Sequence, residues 1–185
     1  MGETQSQIQN LKSKIIWAEG VDLPNLATFS RHALHPAENL IILTSPPGED
    51  IFRQALAVVN PRYVYLAGQP SPFDIFGPFV ERLLGLMKYA LTQKEGEVDL
   101  EILAAALGHR LVTARLGINW LVAQGRLSIY AEEDNLLVVR PAKTSPHVET
   151  VAVLEEILKA TLAETAAYRR FFREASLASL QKILD

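Results

Sequence analysis

Apolar residues in the first seventy positions fall into three short continuous runs, Ile15 to Ala18, Leu40 to Leu43 and Tyr63 to Ala67. Runs of that length, rich in β-branched and aromatic residues, predict strands. Between the second and third lies GEDIFRQALAVV, whose Ile51, Ala55, Leu56 and Val59 share one face of a helix. Between the first and second the signal is weaker, and Leu23, Leu26, Ala27, Ala33 and Leu34 predict a short helix that Pro36 ends. Strands separated by helical crossovers predict a small parallel sheet of the doubly wound, Rossmann-like kind over residues 1–70. The stretch GQPSPFDIFGP that follows, with three prolines and two glycines, marks a boundary and predicts a linker over residues 71–78.

From Phe79 the period changes to that of helices. Val80, Leu83, Leu84, Met87 and Leu91 predict a helix over Phe79 to Leu91. Asp99 is placed to cap a second helix, Leu100 to Leu107, which Gly108 closes. A third, Leu111 to Gln124, buries Leu116, Trp120, Leu121 and Ala123 and stops at Gly125. Two apolar strands follow, Leu127 to Ala131 and Leu136 to Arg140, joined by the polar turn Glu132-Glu133-Asp134-Asn135. Three helices and a hairpin in this order predict a winged helix-turn-helix over residues 79–141. Residues 142–185 are expected to form a C-terminal helical segment, running from about Val148 to Ile183 and divided or kinked near Tyr168 to Phe172. One packed face holds Val151, Leu154, Ile157, Leu158 and Leu162, and another Leu177, Leu180 and Ile183. The fold class is therefore α/β: a small Rossmann-like parallel sheet, a winged helix-turn-helix unit and C-terminal helices.

Composition narrows the function classes. With 185 residues, 49% of them hydrophobic, the chain can bury a core, yet no apolar run approaches the roughly 18–20 residues needed to cross a bilayer. The N-terminal MGETQSQIQNLKSK is polar and lacks the apolar region of a secretory signal, so a cytoplasmic address is expected. The absence of cysteine excludes disulfides, thiolate zinc sites and cysteine nucleophiles. Net charge is −3, and residues 79–141 carry seven basic side chains against eight acids. Strong autonomous DNA binding needs a basic excess to neutralise phosphates, and this chain has none.

Residue types suited to phosphates and base edges nevertheless gather on or beside the third helix: Arg110, Thr113, Arg115 and Asn119, with Arg126 just after it. Thr113, Arg115 and Asn119 are expected to face solvent. The competing expectation is a module that packs only against protein, because an acidic wing tip repels phosphate. The placement of Arg110, Arg115 and Arg126 relative to Glu132–Asp134 decides between them. Elsewhere the chemistry is thin. Thr44-Ser45-Pro46-Pro47-Gly48 sits between a strand and a helix, where α/β sheets hold ligands, but the phosphate-cradling glycines are missing and Glu49 and Asp50 oppose an anion. His32 and His35, with Asp22 and Glu38 nearby, have metal-ligand spacing but read more simply as surface or half-buried residues. His109 and His147 stand alone, and Asp74 lies among Phe73, Phe76 and Phe79, a cluster suited to packing between the two halves. No catalytic, cofactor-binding or metal-ligating set is expected.

The order of features carries a resemblance. The strand, SPPG turn and helix, NPRYVYLAG, FGPFVERLLGLMKYALTQKEGEVDLEILAAALGHR, the wing ending LLVVRP, and Ser145-Pro146 before the terminal helices resemble, from about Ile15 to Ile183, the C-terminal accessory domain of RecJ-type single-strand-specific DNA exonucleases. That resemblance implies a 5′ to 3′ exonuclease of recombination and repair whose manganese- or magnesium-dependent core does the cutting. The core's signature includes adjacent histidines. This chain has none, so it resembles the appended module without its nuclease, needing no cofactor itself. Its implied partners are the rest of the exonuclease polypeptide, single-stranded DNA held weakly, or a protein of the repair machinery, and the implied state is a monomer. The alternative is a free-standing winged-helix transcription regulator with an α/β sensing half, which must dimerise to span two half-sites. A third reading, a small hydrolase or nucleotide-binding enzyme, requires side chains from elsewhere in the chain to line a pocket at Ser45–Gly48.

With about two or three phosphates neutralised, each contributing a log–log salt slope of about 0.7, the isolated chain is expected to bind single-stranded DNA at tens of micromolar or weaker. A fluorescence titration near physiological salt checks this, and a slope steeper than about 4 would contradict it.

Overall fold

The three apolar runs become three strands in a computed structural model that describes residues 13–21 and 23–175. Strands β1 (Lys14–Trp17), β2 (Asn39–Thr44) and β3 (Tyr63–Gln69) form a parallel sheet in that order, with Ile15 beside Leu40 and Leu40 beside Val64. Helix α1 (Glu49–Val59) carries the chain from β2 to β3, and its Phe52, Ala55 and Val59 cover Ile15, Trp17, Leu40 and Ile42. On the other face Ile16, Ala18, Ile41 and Leu43 make a smaller cluster with Val21 and Leu23.

The helix predicted between β1 and β2 is not formed. A single 3-10 turn stands at Arg31–Ala33, and Phe29 instead bridges in parallel to Trp17. Pro24 and Pro36 confine the segment, and a side chain outcompetes helical bonding: the Glu19 carboxylate accepts from the Arg31 backbone N–H at 2.7 Å.

After a 3-10 turn at Pro72–Asp74, capped by the Ser71 hydroxyl, come α2 (Phe76–Gln93), β4 (Glu97–Asp99), α3 (Leu100–Leu107), α4 (Leu111–Ala123), β5 (Leu127–Glu133), β6 (Leu136–Pro141) and α5 (Val148–Glu174). The described residues thus make a mixed α/β fold with five α-helices, and β4, β6 and β5 form a second, antiparallel sheet in that order. Helix α2 starts three residues before the predicted Phe79, inside the expected linker. Pro78 is tolerated there because an N–H in the first turn has no partner to lose. Strand β4 was not predicted. It is only three residues long, too short for a period-2 pattern, and its sign is Val98, buried opposite Leu137.

The ends of α3 follow the sequence closely. Asp99 accepts from the N–H groups of Glu101 and Ile102 at 2.8 and 3.1 Å. Gly108 closes the helix at a φ of 70°, in the left-handed region. The same glycine meets Gly20, at the exit of β1, backbone to backbone: a methyl group on Gly20 would sit 3.0 Å from the Leu107 carbonyl oxygen. The two halves of the chain therefore touch where neither has a side chain.

Helix α5 is continuous through Tyr168–Phe172, where a division or kink was predicted. Arg169 and Phe172 face inward there while Arg170 and Phe171 face solvent, so the bulky run is divided between the two sides of one unbroken helix. Leu158 and Leu162 join the core of α2, α3 and α4, while Phe172 enters the core of the parallel sheet and meets Phe52 edge-on at 5.0 Å. One helix seals both cores. The second predicted face, Leu177, Leu180 and Ile183, lies outside the described residues. Among the described residues no helix is long and apolar enough to cross a membrane.

Phe172→Ala removes a fully buried ring from a small core and is expected to cost about 3–5 kcal/mol. Urea unfolding followed by circular dichroism measures it, and a loss comparable to an exposed substitution, under about 0.5 kcal/mol, would show that α5 is not needed to close the sheet.

Candidate functional site

The five residues singled out around the third helix do not form one polar surface. Thr113 was expected in solvent but is fully buried, its hydroxyl without a partner, so it makes no surface contact. The helical phase explains the error: Thr113, Ala114, Gly117, Ile118, Trp120 and Leu121 are all buried, and α4 is enclosed over most of its circumference. Arg115 is partly exposed and paired with Glu132 on β5 at 2.7 Å. The bond holds the Glu132 carboxyl below its ordinary value and the Arg115 guanidinium above its own. Arg110, at the start of α4, is paired with Glu164 of α5 at 3.1 Å. Arg126 is exposed, and among the described residues no carboxylate forms an ion pair with it. Asn119 lines a shallow groove of about 460 Å³ with Val122, Leu127, Thr144, His147 and Leu154, on the side of α4 that faces α5.

Acids therefore interleave the arginines. The pairing Arg115–Glu132 spans 17 residues and Arg110–Glu164 spans 54, so no local pattern announced either. The sequence signal available was the equal count of acids and bases in residues 79–141. The same elements also expose apolar side chains: Val112 on α4, Ile102 on α3 and Tyr130 on β5, with Arg140 stacked on the Tyr130 ring at 3.4 Å.

The turn at Ser45–Gly48, where an α/β sheet holds ligands, is buried along its whole length. Arg169 of α5 donates through Nε to the Ser45 carbonyl at 3.0 Å, and the aliphatic part of Arg110 lies 3.3 Å from where a Gly48 methyl would be. The chain itself fills the crevice at the strand ends. His32 bonds the Glu101 carbonyl at 3.1 Å and His35 lies 3.3 Å from the Ala33 carbonyl, so the two histidines turn to different partners. Asp22 lies outside the described residues, and among the described residues no three His, Asp or Glu side chains are grouped to hold a metal ion.

The strongest polar constellation is one the sequence did not assemble. Arg169, 1% exposed, donates to the Ser45 and Gly108 carbonyls and to the Asp74 carboxylate. His109 lies beside it, fully buried, bonding the Phe73 carbonyl at 2.9 Å through Nε2. That bond requires Nε2 to carry the proton, and Nδ1 has no partner. A second pair, Arg31 with Glu19, closes the junction, and Arg31 also donates to the His109 carbonyl at 3.0 Å. Burial, with Arg169 next, pushes His109 down to about 3; burial also raises the Asp74 carboxyl above its ordinary value, with Arg169 opposing. Aspartate, histidine and two arginines here serve the join between the two halves and leave no opening to solvent around His109.

No protein-family model, curated protein or solved structure matches this chain.

A histidine whose folded value lies below its unfolded value of 6.5 stays neutral in the native state while the unfolded chain takes up a proton. Stability is therefore expected to fall as pH drops from about 6.5 towards about 3. Asp74, shifted upward, acts in the opposite sense at the acid end of that window. Urea midpoints measured across this range check the slope, and His109→Gln should flatten it.

Proposed function

We propose that this chain is a non-catalytic C-terminal module of a single-stranded-DNA-specific 5′ to 3′ exonuclease of recombination and repair, working chiefly by docking to protein and touching DNA only weakly. On this reading residues 76–141 are a winged helix-turn-helix, with α3 and α4 as the helical pair and β5–β6 as the wing. The support is their order, α2-β4-α3-α4-β5-β6, with β6 central in the antiparallel sheet. The parallel sheet with α1 is the Rossmann-like half.

The observation that carries the docking role is the state of the arginines. A surface built to hold phosphates presents unpaired cations. Here the cation in the middle of α4 is held by the wing and the one at its start by α5, leaving Arg126. The uncharged strand β3 adds to this. It lies at the edge of its sheet, and Tyr63, Val64, Tyr65 and Leu66 are each 39–46% exposed on alternating faces. Parallel sheets are ordinarily covered on both faces, so an edge this apolar suits a module resting on the remainder of its exonuclease polypeptide.

Mixing the chain with a nuclease core that lacks it tests the role. Association by calorimetry, with a change in single-strand digestion rate, supports it; neither effect sinks it. For the DNA contact, Glu132→Gln frees Arg115 and is expected to tighten single-strand binding about two- to threefold, with a salt slope steeper by about 0.7.

A further inference from the structure

The outer side of α5 is apolar where water should meet a polar face. Residues Leu158, Leu162, Thr165, Arg169 and Phe172 point into the molecule. At about 100° per residue, a second stripe lies opposite them: Val153, Ile157, Ala160, Glu164, Ala167 and Phe171. The steps between these positions alternate four and three, the spacing of a coiled-coil seam. Val153, Ile157 and Phe171 are 59%, 45% and 48% exposed, and both central alanines are exposed as well. A surface helix ordinarily hides one stripe and wets the other. This one offers two.

We infer that α5 pairs with α5 of a second copy of this chain, antiparallel, about a two-fold axis near residue 162. The charges argue for a second copy and for that direction. Along one flank of the stripe the helix carries Glu149 and Glu156 in its first half and Arg170 in its second, with Ala163 between, while Glu174 ends the stripe and falls opposite Thr150 of the other copy in the register below. Antiparallel alignment sets Glu156 of each copy beside Arg170 of the other, whereas parallel alignment sets the acidic halves together. The apolar residues match in the same register: Val153 meets the other copy's Phe171, and Ile157 its Ala167. Glu164 then faces Ala160, whose small side chain leaves room for it, and Glu164 brings a counter-ion in Arg110. A single polar residue in such a seam fixes the register. Glu156 now bonds Lys159 at 3.1 Å, but with 76% of its side chain exposed that contact is easily exchanged. The inference stands apart from the accessory role proposed above and differs from the monomer that the resemblance implies.

Sedimentation equilibrium of the full chain, from micromolar to submillimolar, tests it, with circular dichroism as the check on folding. The expected species has twice the chain mass of 20.5 kDa. Glu156→Arg and Arg170→Glu should each weaken association about tenfold or more, and the double exchange should restore it. Because the chain has no cysteine, Ala163→Cys should be joined to a second copy by a short thiol cross-linker. A monomer throughout the range overturns the inference. So does a dimer indifferent to both charge changes, which would place the contact on another surface such as β3.

Discussion

One guanidinium holds the molecule's parts in register. Arg169 reaches from α5 to the backbone at the end of β2, to the backbone at the end of α3, and to the carboxylate that follows β3. A charge taken out of water is costly unless its donors are satisfied, and the rigid fork of arginine meets three acceptors at once where a lysine would meet them as a point. Removing any one acceptor would leave a buried donor unmatched. The arrangement therefore favours one mutual placement of the two halves over its near neighbours, a specificity that apolar packing alone gives less sharply. His109 belongs to the same device: kept neutral, it fills the remaining space without adding a further positive charge beside Arg169 and Arg31.

That placement also governs what the surface presents. The turn that carries Gly108 and His109 leads directly into α4, so the direction of α4 is set by the buried junction. With α4 so directed, Arg110 meets α5 and Arg115 meets β5. The electrostatic quietness of this face is thus a product of packing. It leaves shape and apolar contact as the means by which the face would recognise anything.

How much of this was legible depends on distance along the chain. The strands other than β4, together with α1, the Asp99 cap and the Gly108 stop, are local, and their residues announce them. The segment between β1 and β2 misled because Leu and Ala spacing outweighed Pro24 and the reach of Glu19, a carboxylate twelve residues from the N–H it holds. Thr113 misled because a hydroxyl in a helix reads as polar surface, while its burial follows from neighbours on other elements. The apparent break at Tyr168–Phe172 is the point where α5 passes from one core to the other. None of the partners of Arg169 lies within sixty residues of it, and no pattern in the sequence links them.

The reach of α5 has a consequence for how the protein is made. The core of the parallel sheet is assembled from residues near the start of the chain, yet it is sealed by Phe172, and the Arg169–Ser45 bond closes a span of 124 residues. Chains emerge from the ribosome at about 5–20 residues per second. For several seconds the first half must exist as three strands and a helix whose shared core still lacks Phe172. The second half, whose contacts are mostly its own, can settle meanwhile. This protein is therefore built to finish its N-terminal half last, and it depends during synthesis on whatever keeps an unfinished sheet from finding the wrong company.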